Sequence, residues 1–151
     1  MVEEGNEKYD SRGNCNAILM GESLIAGCLT TMIPESITTI EDNAFYGLDI
    51  ENITIPNTVI VISDNAFSGC SKLTNMNMST SLKEIGSWCF SNCSKLQSIE
   101  LPTSLEKIGR SAFQGCSSIT EIKIPKSVVD IDSNPFISCS TTVHENPLTI
   151  L

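Results

Sequence analysis

The sequence predicts a solenoid that is mainly β with short helical turns: about five coils of roughly 22–23 residues each, stacked behind an N-terminal β-hairpin. Three observations point there. An Ala-Phe-like pair recurs at Ala44-Phe45, Ala66-Phe67, Cys89-Phe90, Ala112-Phe113 and Pro135-Phe136, so the phenylalanines are evenly spaced but for a single position missing from the first interval. An apolar-x-apolar-Pro marker keeps the same register, in Ile53-Thr54-Ile55-Pro56, Ile99-Glu100-Leu101-Pro102 and Ile122-Lys123-Ile124-Pro125, with Met32-Ile33-Pro34 ahead of them and Met76-Asn77-Met78-Ser79 as a proline-less copy. Two aliphatic columns lie between these markers: Ile37, Val59, Leu82, Leu105, Val128, and Ile40, Ile62, Ile85, Ile108, Ile131. A unit of this length is too short for a helix pair and cannot bury an apolar face alone, so neighbouring units must cover one another.

Taken in chain order, residues 1–14 form an acidic segment. Met1 to Lys8 has neither the basic start nor the apolar stretch of a signal peptide, which leaves export undecided. Residues 15–28 read as the hairpin cap, because the runs Cys15 to Met20 and Ser23 to Cys28 flank Gly21-Glu22, a two-residue turn with glycine first that suits type II′. Counting outward from that turn pairs Met20 with Ser23, Leu19 with Leu24, and finally Cys15 with Cys28 at a site where side chains approach closely. A disulfide is allowed there; the alternative is two free thiols packed as small apolar groups.

The repeats occupy residues 29–142. In Ser98-Ile99-Glu100-Leu101 the alternation sends Ile99 and Leu101 inward and Ser98 and Glu100 outward, as a half-buried strand requires, and the proline after it ends the strand. The following Leu105 to Ile108 stretch is expected to be extended and paired with its equivalents. Asp42, Asp64, Ser87 and Ser133 stand two residues before the Ala position and are candidates to cap a single helical turn that carries the Phe inward, a pattern Arg110 breaks. Residues 143–151, from Val143 through His144 to Leu151, read as a final strand or the start of a continuation.

Composition narrows the function. Nine Lys and Arg against eighteen Asp and Glu give a net charge of -9, the wrong sign for a phosphate backbone, so nucleic acid is excluded as a partner. No apolar run approaches the ~18 residues of a spanning helix, so no membrane insertion is expected. The single histidine, His144, rules out a multi-histidine metal centre, and no Gly-rich phosphate loop, nucleophile elbow or His-Glu-x-x-His motif is present. The expectation is a protein without catalytic residues, cofactor or metal.

Cys70, Cys93, Cys116 and Cys139 recur once per coil at the same position and therefore stack in a column instead of converging on one metal; buried free thiols or adjacent-coil disulfides remain open. Residues 13–71 carry seven acids and no Lys or Arg. Asp42 and Asp64, with Glu41 adjacent, are equivalent in successive coils, so a calcium-dependent module is an alternative, against the plainer reading of caps on a solvated surface. Charges in other matching positions alternate in sign: Glu84, Lys107, Asp130; Lys83, Glu106; Glu100, Lys123. Such pairs favour one stacking register. Ile60 and Val61 interrupt these columns as a small apolar patch, and Trp88 stands where other coils have Asn43, Asn65, Ser111 and Asn134, which places it on the surface in part.

The pattern in Cys93-Ser94-Lys95-Leu96-Gln97-Ser98-Ile99-Glu100-Leu101-Pro102-Thr103-Ser104-Leu105-Glu106-Lys107-Ile108-Gly109-Arg110-Ser111-Ala112-Phe113-Gln114-Gly115-Cys116 resembles the BspA-like subclass of leucine-rich repeats. The resemblance covers about residues 29 to 142. It departs from the family at Ser79 for proline, Leu48 for cysteine, Pro135 for alanine, and a one-residue deletion between Phe45 and Pro56. It implies a right-handed leucine-rich repeat solenoid, usually of an exported or cell-surface protein, some members of which act as adhesins toward host matrix or other cells.

The outward positions of the strands are the candidate partner surface: Asn52 and Thr54, Asn75 and Asn77, Ser98 and Glu100, Glu121 and Lys123. They are polar, regularly spaced and free of core duty, which is how solenoids carry recognition. The sequence therefore reads as a non-catalytic binding module, monomeric, taking a protein or glycan partner. The rival is a structural spacer that displays some other domain and has no ligand of its own.

Overall fold

The computed structural model describes residues 17–140 and 142–144. A hairpin of β1 (Ile18–Met20) and β2 (Ser23–Ala26) is followed by coils that each contribute a short strand to one sheet: β3 (Thr39–Ile40), β5 (Val61–Ile62), β7 (Glu84–Ile85), β8 (Lys107–Ile108) and β10 (Asp130–Ile131). With the hairpin these make a seven-stranded sheet in the order β1-β2-β3-β5-β7-β8-β10, antiparallel in the hairpin and parallel thereafter. The second row of strands carries the apolar-x-apolar marker and forms two separate pairs, β4 (Asn52–Thr54) with β6 (Asn75–Asn77) and β9 (Glu121–Lys123) with β11 (Thr142–His144).

The register follows the repeat. Ile40 faces Ile62, Ile62 faces Ile85, Ile85 faces Ile108 and Ile108 faces Ile131. Each corner closes through an i to i+3 hydrogen bond onto the marker proline, as in Val59 N–H to Pro56 O at 3.0 Å and Leu105 N–H to Pro102 O at 3.0 Å. Ser79 takes the proline's place by hydrogen bonding: fully buried, its hydroxyl donates to Val59 O at 2.7 Å and accepts from Ser81 N–H at 3.1 Å. The departure from the repeat is thereby absorbed locally.

The core is a set of columns. Phe45, Phe67, Phe90 and Phe113 have no exposed surface and continue to the partly buried Phe136. Successive rings stack with centroids 4.8, 5.5, 5.3 and 5.5 Å apart and nearly parallel planes. At the N-terminal end the hairpin seals this column: a Cβ on Gly27 would come within 2.1 Å of the Phe45 ring, so only glycine fits.

The segment carrying each phenylalanine is a series of turns, and no helix occurs among the described residues. This corrects the expected helical turn. Alternate amides point along the solenoid axis: Asn43, Phe45 and Gly47 donate to Asp64, Ala66 and Ser68 of the next coil, while Ala44, Tyr46 and Leu48 donate within their own coil. Half the amides are thus committed between coils, and a helix would have to withdraw them. The alternation needs left-handed backbone at two positions per coil. One column holds Asn43, Asn65, Trp88, Ser111 and Asn134, and the other holds Gly47, Gly69, Asn92, Gly115 and Ser138, all with positive φ. Asn and Gly tolerate that region best; Trp88, at φ 52°, is the bulky exception.

Asp42 and Asp64 do not cap helices either. Their carboxylates accept the amides of Asp64 and Ser87 in the following coils, at 3.1 and 2.6 Å, and so tie coil to coil.

The hairpin keeps the expected Met20–Ser23 and Leu19–Leu24 pairs, and Gly21 adopts the left-handed φ of 62° that the turn requires. Beyond them the register slips by one residue between Ile18 and Leu19, so Ile18 faces Ala26 instead of Ile25. The residue-by-residue count that sets Cys15 opposite Cys28 therefore does not carry through the bulge. Cys15 itself lies outside the described residues. The Cys28 sulfur is 3.4 Å from the Thr30 hydroxyl and accepts a hydrogen bond from the Thr31 hydroxyl at 3.6 Å.

Candidate functional site

The eight predicted surface residues lie on the second row of strands, and the structure groups them unevenly. β4 and β6 are in register, Asn52 with Asn75 and Thr54 with Asn77, with Ile53 and Met76 turned inward between them. Their side chains form a ladder: Asn75 Nδ2 donates to Asn52 Oδ1 at 3.2 Å, Thr74 Oγ1 to the same oxygen at 3.4 Å, and Asn77 Nδ2 to Thr54 Oγ1 at 3.3 Å. On β9, Glu121 and Lys123 project on the same face, with Lys123 Nζ 3.6 Å from the Glu121 carboxylate. The alternating pair expected between Glu100 and Lys123 does not form, because Lys123 turns along its own strand to Glu121.

Ser98 and Glu100 sit between these two pairs. Their segment keeps the predicted alternation, with Ile99 buried and Ser98 and Glu100 exposed, but it is not a paired strand. The bond from Ile55 N–H to Asn77 O at 2.8 Å, which joins the second coil to the third, has no counterpart from Met78 to Glu100 or from Leu101 to Lys123. Among the described residues, no backbone hydrogen bond joins Ser98–Leu101 to either neighbouring coil. The expected continuous ribbon is therefore interrupted at its middle.

A groove runs along each side of that interruption. One, of about 540 Å³, lies between the third and fourth members of the row, with Asn75, Asn77, Thr80, Ser98, Glu100 and Thr103 on its walls. The other, of about 510 Å³, is bordered by Gln97, Ser98, Glu100, Thr120, Glu121 and Lys123. A smaller one of about 380 Å³ flanks the outer edge of β4, between Asn52 and Thr54 on one side and Thr31, Met32 and Glu35 on the other. All eight predicted residues border one of the three. The sequence reading missed Thr80 and Thr103, which follow the marker position in successive coils; that position is polar in every coil, with Glu35, Asn57 and Lys126 as its other members, and this periodic signal could have found them.

The other residues singled out from the sequence fall elsewhere. The cysteine column is built of thiols that hydrogen-bond to backbone: Cys70, Cys93, Cys116 and Cys139 donate to the carbonyls of Phe45, Phe67, Phe90 and Phe113 at 3.1, 3.2, 3.0 and 2.8 Å. All four are free, as is the buried Cys89. Burial pushes the Cys70 thiol up to about 11 and the Cys116 thiol up to about 12, and it raises those of Cys93 and Cys89 as well. Neutral, buried sulfur of this kind is a core element and a weak nucleophile.

On the seven-stranded sheet, Lys107 pairs with Glu84 at 2.9 Å and Lys83 with Glu106, the cross-coil pairs that the alternating charges foreshadow. Both are exposed, so each contributes only a few tenths of a kcal/mol, roughly. Ile60 is 41% exposed beside them, and Trp88 is 37% exposed on the turn ridge. Neither belongs to the grooved face. No group of three metal-ligating side chains occurs among the described residues. Nor is any helix there long and apolar enough to cross a membrane.

The comparisons with known proteins agree with this architecture. The model of the BspA type leucine rich repeat region matches residues 27–143 in six copies. Among solved structures, the T. pallidum leucine rich repeat protein aligns with a TM-score of 0.78 at 25% identity, covering 94% of this chain and 70% of its own. A leucine-rich repeat protein from Bacteroides ovatus aligns at 0.71 and 31% identity, covering 92% of this chain and 39% of its own. A leucine rich cell surface protein from Faecalibacterium prausnitzii aligns at 0.80 and 25% identity, covering 93% of this chain and 40% of its own. This chain thus spans less than half the length of the latter two. No curated protein matches its sequence. With a repeat model running through most of its length and the same coil geometry in these structures, the chain belongs to the BspA-type leucine-rich repeat family.

Proposed function

We propose that this chain is a non-catalytic recognition module of an extracellular or cell-surface protein, and that it binds a macromolecular partner, adhesin-like, through the grooved strand face. The observation that carries this reading is the concentration of exposed amide, hydroxyl and charged side chains around three grooves on one face. The opposite sheet spends its charges on pairs between coils. Recognition needs hydrogen-bonding groups that the fold leaves available, and outward positions on a rigid scaffold supply them without disturbing the core. A surface location is supported by the cell-surface description of the Faecalibacterium prausnitzii relative.

The test is to probe matrix-protein and glycan arrays with the intact chain, then repeat any binding with Asn75, Asn77, Ser98 and Glu100 changed to alanine. The expected result is binding that falls in the variant while its melting temperature holds. Undiminished binding by the variant removes this face from the reading. If the intact chain gives no signal, the spacer without a ligand of its own is favoured.

A further inference from the structure

We propose that the Ser98–Leu101 segment is a docking strand for an extended peptide of a partner protein, one that places a basic side chain against Glu100. This rests on the binding reading above and names its ligand class.

The argument starts from backbone accounting. Each extended residue presents one N–H and one C=O, and in a stacked solenoid the neighbouring coil normally satisfies both. Here the row is paired at β4 with β6 and at β9 with β11; among the described residues it is unpaired between Met32–Ile33 and the outer edge of β4, and on both sides of Ser98–Leu101, the one interior member. The repeat shows which bonds are missing: the equivalents of Ile55 N–H to Asn77 O would join Met78 to Glu100 and Leu101 to Lys123. The groups left over lie beside grooves of about 540 and 510 Å³, large enough on each side for a short run of peptide. A second extended chain carries donors and acceptors at the same rise of ~3.3 Å per residue, which is the basis of recognition by strand addition.

The walls favour a peptide over a sugar. Neither groove has an aromatic side chain on which a sugar ring would stack. The residues beneath are aliphatic or thioether, Met76 and Ile99 being buried and Leu101 partly so, and the rims are amides and hydroxyls, a pattern suited to a chain of alternating side chains. Charge sets the sign. Glu100 borders both grooves, is exposed, and has no ion-pair partner among the described residues, on a protein of net charge -9. A basic residue in the peptide complements it and benefits from long-range attraction.

The test uses a phage-displayed library of linear dodecapeptides selected on the intact chain, with Glu100→Pro and Glu100→Gln as variants. Among the described residues the Glu100 amide has no backbone partner, so proline there should leave the melting temperature unchanged, whereas Asn77→Pro, at the equivalent position in the paired strand β6, should lower it. Enriched peptides should carry Lys or Arg. They should lose at least about tenfold in affinity with Glu100→Pro, and their binding should weaken with salt and with Glu100→Gln. Amide hydrogen exchange at Ile99–Leu101 should be fast in the free chain and slowed by the selected peptide. No enrichment, unaltered affinity with Glu100→Pro, or no added protection overturns the proposal. If glycans alone bind, and the four-residue alanine variant abolishes that binding, this proposal falls while the face remains the binding surface. If neither set of variants affects whatever binds, both fall.

Discussion

Phe113→Ala removes the fourth ring of a five-ring stack. In the structure Phe113 is fully buried and lies between Phe90 and Phe136, with centroids 5.3 and 5.5 Å away and both neighbouring planes within 15°. Deleting a buried phenylalanine side chain costs ~3 to 5 kcal/mol through lost transfer energy and the cavity that remains. Two stacking contacts of ~0.5 to 1.5 kcal/mol each push the figure toward the top of that range. Phe136 has one such contact and is only partly buried, so Phe136→Ala should cost about half as much. Urea unfolding, followed by the fluorescence of the sole tryptophan, Trp88, measures both. A domain holding ~5 to 15 kcal/mol in total can be unfolded outright by the larger change, and Phe113→Leu, at about 1–2 kcal/mol, then supplies the measurable point. Equal costs for the two alanine variants would refute the idea that each ring depends on cover from both neighbouring coils.

Three further outcomes are expected. Gly109→Ala should destabilise by ~1 to 3 kcal/mol in a thermal or urea melt, because its Cβ would lie 2.5 Å from Ser87 N and 2.6 Å from Gly86 C, backbone atoms that can move only if the coils separate. Stability should fall as pH rises from about 9, where unfolded thiols ionise, toward 11 and 12, where burial finally lets Cys70 and Cys116 do so. The folded state is the one that keeps these protons, so the full benefit lies below pH 9, and each such thiol adds ~1.4 kcal/mol per pH unit of loss within that window; Cys70→Ala should flatten the slope in urea melts. Millimolar calcium should leave the melting temperature unchanged, since the Asp42 and Asp64 carboxylates are engaged by the amides of the next coils. A rise on calcium addition would revive the metal-dependent alternative.

The repeat made much of the fold legible. Columns such as Ile40, Ile62, Ile85, Ile108 and Ile131 recur because every coil solves the same burial problem, and their strands pair in the register the spacing implies. The cysteine column is visible for the same reason. The helical turn is not, because Ala-Phe beside a candidate cap is compatible with a helix locally; what decides against it is the demand of the neighbouring coil for alternate amides. Asp42 and Asp64 share that ambiguity, since a carboxylate that accepts from its own turn and one that accepts from the next coil leave the same trace in a sequence.

The candidate face divides along the same line. That Asn52, Asn75, Ser98 and Glu121 point outward follows from alternation, a property of each strand alone. That the ribbon breaks at Ser98–Leu101 and opens two grooves does not, because the Ile99-Glu100-Leu101-Pro102 motif is as regular as its paired equivalents. By itself the chain determined the period, the inward columns and the polar face, since these are set by side-chain chemistry repeated along one strand of text. The tertiary structure alone decided which coils hydrogen-bond, where backbone is left over and what lines the gaps, because those depend on distances between segments that stand a full coil apart in the sequence.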